Sequence, residues 1–253
     1  PNSTVTLSAN GKTATFAEVT ASTAENTLVV NSGVTITKLT VNQGNVRLKG
    51  DAKIVELINS TGGTIKLYVE DASKASYPTD LASKKVIVIA SAEDELADIA
   101  ANGGTYILEK DLTGNFVVSA EKPVTIDLNG YKITNKSDDT FTVNFGSTLI
   151  IKGNGTVDNV TNGKACIYNN GEVVLEGGEY TRSKEAGTFT PTNSANGNSY
   201  YNILNHGIMT INPGVNVHAN GSHSSLIASG YYSYKAKPCL LYTSPSPRDV
   251  EES

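Results

Sequence analysis

Two adjacent carboxylates, Asp138 and Asp139, and a histidine set between asparagine and glycine, Asn205-His206-Gly207, are the residues here best suited by type to acid–base chemistry. Hydrolysis of a glycosidic bond needs one carboxyl group to protonate the leaving oxygen and a second to act as base or nucleophile across the bond. Two neighbouring acids with no placed partner do not supply that geometry, and the SDDT stretch reads as a polar turn. His206 occupies a position held by Phe145 and Asn170 in sister segments, so it too reads as a turn residue. His218 and His223 flank ANGS, and two imidazoles with no third ligand do not make a zinc site. Asp51 and Asp71 could each offer an oxygen to calcium, but no D-x-D repeat supports them. Cys166 reads as a buried thiol in a strand. No catalytic residue, metal or cofactor is expected.

The aromatic residues say more. Tyr200 and Tyr201 close a polar insert at 183–199, and Tyr231, Tyr232 and Tyr234 follow about one repeat later. Tyrosine rings among Asn, Ser and Thr can stack on sugar faces and bond their hydroxyls. These five are the expected glycan-binding residues, and the expected partners are cell-surface or host glycans.

The residues that would hold such a site in place are short strands and tight turns. Gly, Asn, Ser and Thr abound with β-branched residues, charged residues make up 18%, and Trp is absent. A net charge of −5 with no basic run argues against a nucleic-acid partner. No apolar stretch is long enough for a membrane-spanning helix.

One phrase recurs: an apolar pair, N-x-G, alternating apolar residues, then a glycine turn. It appears as FTVNFGSTLIIKGNGTV from Phe141, CIYNNGEVVLEGGEY from Cys166 and YNILNHGIMTINPGVNV from Tyr201, with a partial copy, VTIDLNGYKI, from Val124. Period-two pairs Leu149/Ile151, Val173/Leu175 and Met209/Ile211 mark inward faces. One repeat cannot bury its own apolar side, so stacked coils are required. Asn144, Asn169 and Asn205 open the N-x-G triplets and are expected to stack as a turn ladder, each amide bonding the next.

A looser version fills the first 90 residues. N-x-G triplets begin at Asn31 and Asn42, and Val34/Ile36, Leu39/Val41, Val46/Leu48 and Ile65/Leu67 alternate as short strands should. SAEDELADIAANGG breaks the pattern: Ser91 is a helix N-cap, acids fill the first turn, and glycine closes the segment. This predicts one short capping α-helix near 92–102 and a module boundary near Ala90.

The helix, GGTYIL, VTIDLNGYKI and the N-x-G repeats together resemble the pectin-lyase-like right-handed parallel β-helix superfamily. In style they are closest to the repetitive β-helices of gut bacterial surface proteins and phage fibre or decoration proteins. The resemblance implies an all-β solenoid, secreted, surface-displayed or carried on a virion, and a homotrimer if it is a phage fibre. It also implies three functional classes: a glycan-binding scaffold, an adhesin for host protein, and a polysaccharide lyase or hydrolase. Pectate lyases use an Arg or Lys base, and neither Arg47 nor Arg182 stands in a matching context. Polygalacturonases carry N-T-D and G-H-G motifs; the first is absent here and Asn precedes His206. The non-enzymatic scaffold is therefore the expected function.

Residues Cys239–Asp249, CLLYTSPSPRD, resemble a one-frame translation of a transposase adapter used in short-read library preparation. The native fold is accordingly expected in two modules, 1–90 and 91–237, with 238–253 a non-native tail. Setting the tail aside removes one Arg and three acids, so the net charge of −5 becomes −3. The coil around Leu226 and Ile227 is expected to be partly exposed, and the natural chain to continue past Lys237.

Overall fold

Apolar residues two apart recur along the chain because each such pair faces the inside of a coil. The computed structural model describes residues 5–161, 163–183, 200–218 and 224–230. The chain divides into two units, Pro1–Glu95 and Leu96–Ser253. Both are parallel β-solenoids, as the repeats predict.

In the first unit, β1 (Val5–Leu7), β2 (Ala14–Val30), β3 (Val34–Leu48), β4 (Lys53–Asn59), β5 (Ile65–Val69) and β6 (Val86–Ile89) form one six-stranded sheet with every pairing parallel. Val34, Ile36, Leu39, Val41, Val46, Leu48, Ile65 and Leu67 are all buried in its core. Burying each such side chain stabilises the coil by about 1.5–3 kcal/mol. The strands are longer than expected, 17 residues in β2 and 15 in β3. Asn42-Gln43-Gly44 bends β3 without ending it: Gly44 takes a φ of 85°, and the pairing with β2 slips between Ala21 and Thr27. One strand thereby covers two faces, pairing with β4 before the bend and β5 after it.

α1 (Ala92–Asn102) spans the predicted residues. Ser91 Oγ accepts a hydrogen bond from Asp94 N at 3.0 Å, and Glu93, Asp94 and Glu95 lie at the positive end of the helix dipole. Gly103, with a φ of 85°, closes it. The division between the units falls inside this helix. Ala100 O accepts from Ser119 N at 3.0 Å, tying its last turn to the first coil of the second unit.

Among the described residues that unit is five coils of three strands. The first sheet holds β7 (Gly104–Ile107), β10 (Val124–Asp127), β13 (Thr148–Lys152), β16 (Glu172–Leu175) and β19 (Ile208–Ile211). The second holds β8 (Leu112–Thr113), β11 (Lys132–Thr134), β14 (Thr156–Asp158), β17 (Glu179–Thr181) and β20 (Asn216–Val217). The third holds β9 (Phe116–Val118), β12 (Phe141–Val143), β15 (Ile167–Asn169), β18 (Tyr200–Asn205) and β21 (Ser224–Ser229).

Register stacks like on like. Val124, Leu149, Val173 and Met209 form one inward row, and Ile126, Ile151, Leu175 and Ile211 another. Phe116 and Phe141 meet with ring centroids 5.6 Å apart. These rows are fully buried until the last coil, where Ile211 is 42% and Leu226 46% exposed and Met209 and Ile227 are half-buried.

Candidate functional site

Each coil of the second unit turns three corners, and the side chains able to do chemistry are sorted among them. The third corner, from the third sheet back to the first, carries the N-x-G phrases. β15 passes to β16 through Asn170-Gly171, and β18 to β19 through His206-Gly207. These two-residue turns lie backbone against backbone. A Cβ on Gly171 would collide with the carbonyl oxygens of Asn144 and Ser147, and one on Gly207 with that of Gly171. Glycine is therefore required by close approach rather than by a positive φ.

The asparagines hold this stack from within. Asn169, fully buried, accepts at Oδ1 from Gly171 N at 2.9 Å. Its Nδ2 donates to Asn205 Oδ1 at 2.7 Å and to Ile208 O at 2.9 Å. Asn205 in turn donates to Ser229 Oγ at 3.4 Å. Asn144 stands outside the row, a correction to the expected ladder. Strand register sets Val143, not Asn144, beside Asn169, and Asn144 is exposed. The β12–β13 turn holds four residues, Asn144 to Ser147, where the turns of the next two coils hold two, so its N-x-G triplet is displaced by one.

The longer turn also throws Phe145 into solvent, leaving it 93% exposed. Below it the smooth glycine turns leave a groove of about 590 Å³. Phe145 and Ile208, itself 66% exposed, are its apolar walls. Thr148, Asn170, Glu172 and His206 are its polar ones, and Thr148 Oγ1 donates to Glu172 Oε2 at 3.4 Å. The His206 ring stands edge-on to Tyr168 at 5.3 Å, and burial holds its pKa below the usual imidazole value. Among the described residues Glu172 is the one carboxylate of the lining, which contains no Lys or Arg.

The second corner, from the second sheet to the third, gathers charge. Asp158 is fully buried. Its Oδ1 accepts from Ser183 N at 2.8 Å, and its Oδ2 from Ser183 Oγ at 2.5 Å and Lys132 Nζ at 2.6 Å. Burial pushes its pKa up, but the bonds from Lys132 and Ser183 outweigh that and leave it below the usual carboxylate range. Asp138 pairs with Lys164 at 2.5 Å, which lowers it also. Asp139 behaves oppositely: burial raises it, although Oδ1 accepts from Ala165 N at 2.6 Å. Arg182, 1% exposed, lies in the same neighbourhood, and its charge acts on Asp139.

Asp138 and Asp139, weighed in the sequence, thus share a corner with Asp158, but each of the three already has its own cation or N–H partner. Asp127 is at the first corner beside Lys152, at 3.8 Å, and His206 at the third, so neither can act with them. Cys166 is buried with its Sγ donating to Asn202 O at 2.8 Å, and burial pushes the thiol pKa far up. That suppresses the thiolate a nucleophile or metal ligand needs. Among the described residues no three His, Cys, Asp or Glu gather as a metal site. Nor is any described helix long and apolar enough to cross a membrane.

Of the tyrosines expected to bind glycan, Tyr231, Tyr232 and Tyr234 lie outside the described residues, as does His223. Tyr200 sits in β18 paired with Ser224, and Tyr201, half-buried, pairs with Ser225. Neither lines the groove. Phe145, Asn170, Glu172 and Ile208 were missed as candidates. The signal for Phe145 and Asn170 was the chemical variety at the middle of the N-x-G phrase, Phe145, Asn170 and His206, and that for Glu172 and Ile208 the variety at the next strand's first position, Thr148, Glu172 and Ile208.

No protein-family model, curated protein or solved structure matches this chain. Its functional reading rests on the geometry.

Proposed function

We propose that this chain is a non-enzymatic, extracellular or virion-displayed β-solenoid scaffold that binds glycan in the third-corner groove. One observation carries the reading: Phe145, 93% exposed, lines one groove with stacked glycines, Asn170 and Glu172. A large aromatic ring left in water on an otherwise polar turn loses the stabilisation of burial, and sugar binding restores it by covering the ring with C–H groups. Adjacent amide and carboxylate groups then receive the hydroxyls. The pairing of Asp138 with Lys164 and of Asp158 with Lys132 supports binding over bond cleavage, because neither acid is free to act opposite a second.

The reading is tested by screening the purified protein against immobilised oligosaccharides and repeating the screen with Phe145→Ala. Binding that falls at least tenfold in the variant is expected. Glycan binding unchanged in Phe145→Ala, or no glycan binding at all, would overturn it.

A further inference from the structure

We infer that the groove takes an uncharged, extended oligosaccharide lying along the solenoid axis, one sugar unit per coil; this rests on the glycan reading above. The floor of the groove repeats. Gly146, Gly171, Gly207 and Gly230 come one from each of four successive coils. Parallel strands step by about 4.8 Å, so the four glycines span ~14 Å along the axis. Each step is close to the length of one pyranose in an extended chain. A ligand with the same period meets the glycine of one coil at every unit, whereas one lying across the corner meets a single coil.

Charge selects within the sugars. Glu172 projects from the turn region with its side chain exposed, and among the described residues the lining offers no Lys or Arg against which an acidic sugar could pair. The cations Lys132, Lys152 and Lys164 are engaged by Asp158, Asp127 and Asp138 at the other two corners. A uronate or sulfate in the groove would face the Glu172 carboxylate, and the like charges would repel. Neutral hydroxyls suit the same surface. Glu172 and the Asn170 carbonyl accept from them, the Asn170 amide donates to them, and Phe145 and Ile208, on coils two apart, cover apolar ring faces at different units.

The experiment uses neutral hexasaccharides of glucose, galactose and mannose, each matched by its uronic acid hexamer of the same linkage, titrated into the full chain at pH 7.5. At least one neutral hexamer is expected to bind at least tenfold tighter than its uronate counterpart. Its affinity should rise through the trimer and level off near the tetramer. Glu172→Lys should narrow the neutral-to-uronate ratio at least tenfold, and Phe145→Ala should weaken both. A uronate hexamer that binds as tightly as its neutral match, with sensitivity to Phe145→Ala, would sink the charge inference and leave the glycan reading standing. A dimer that binds as well as a hexamer would overturn the lengthwise placement. If no hexamer of either kind binds, both readings fail together.

Discussion

Asn169 Nδ2 donates to Asn205 Oδ1 at 2.7 Å, joining residues 36 positions apart inside the corner that carries the groove. The same row reads Val118, Val143, Asn169, Asn205 and Ser229 from coil to coil. It changes from apolar to amide where the turns shorten from four residues to two, because a two-residue turn leaves N–H and C=O groups for a side chain to satisfy.

Replacing Asn169 by Ala should therefore be costly. It removes bonds to Asn205, Ile208 O and Gly171 N at a fully buried position. The expected destabilisation is about 1–3 kcal/mol. Asn144→Ala, exposed and outside the row, should change stability by less than ~0.5 kcal/mol. Denaturant titration of both variants checks this; equal effects would contradict the register.

Gly207→Ala should be among the most harmful single-methyl additions in the chain. The added Cβ meets a backbone oxygen of the preceding coil, and neither strand can yield without breaking the stack. Gly63→Ala is the control. Its Cβ would have only Thr61 Oγ1 nearby, at 3.9 Å, and its φ is not in the left-handed region. That substitution should be neutral or stabilise slightly by restricting the unfolded chain. Thermal melting of the two variants should differ in sign or by several degrees.

Asp158 and Asp139 should respond oppositely to neutralisation. The folded pKa of Asp158 is depressed, so its contribution is fully present above the unfolded value of about 3.9 and disappears as pH falls through the folded value. Asp158→Asn should lower stability at pH 7 and reduce the acid sensitivity below pH 4. Asp139 has a raised folded pKa, so keeping it ionised at neutral pH costs stability. Asp139→Asn, which retains the acceptor for Ala165 N, should raise the melting temperature at pH 7. Parallel melting curves from pH 3 to 8 separate these outcomes.

His206 links the groove to pH. Burial lowers its folded pKa below the unfolded value of about 6.5. Protonation is thus disfavoured in the folded state; stability is complete above that unfolded value and declines as pH drops below it. Urea unfolding at pH 7.5 and pH 5.5 should show a loss at the lower pH that is smaller in His206→Gln. An identical loss in the variant would assign the pH dependence to other groups.

The local pattern alone determined a parallel coil, which pairs of residues face inward, and the bounds of α1. Those properties follow from side-chain periodicity, N-cap chemistry and the tolerance of Gly for tight corners, all of which act within a few residues. Register across successive coils was decided only in the tertiary structure. Pairings such as Phe141 with Ile167, or Asn169 with Asn205, depend on how many residues each intervening turn and insert consumes. Two extra residues between Val143 and Thr148 moved Asn144 off the ladder and Phe145 into solvent. The long strands β2 and β3 arose the same way, since pairing with neighbours on both sides carried the chain through a bend where Asn42-Gln43-Gly44 alone would have turned it. The groove exists because glycines from four separate coils are stacked at one corner, a juxtaposition that no stretch of the chain contains by itself.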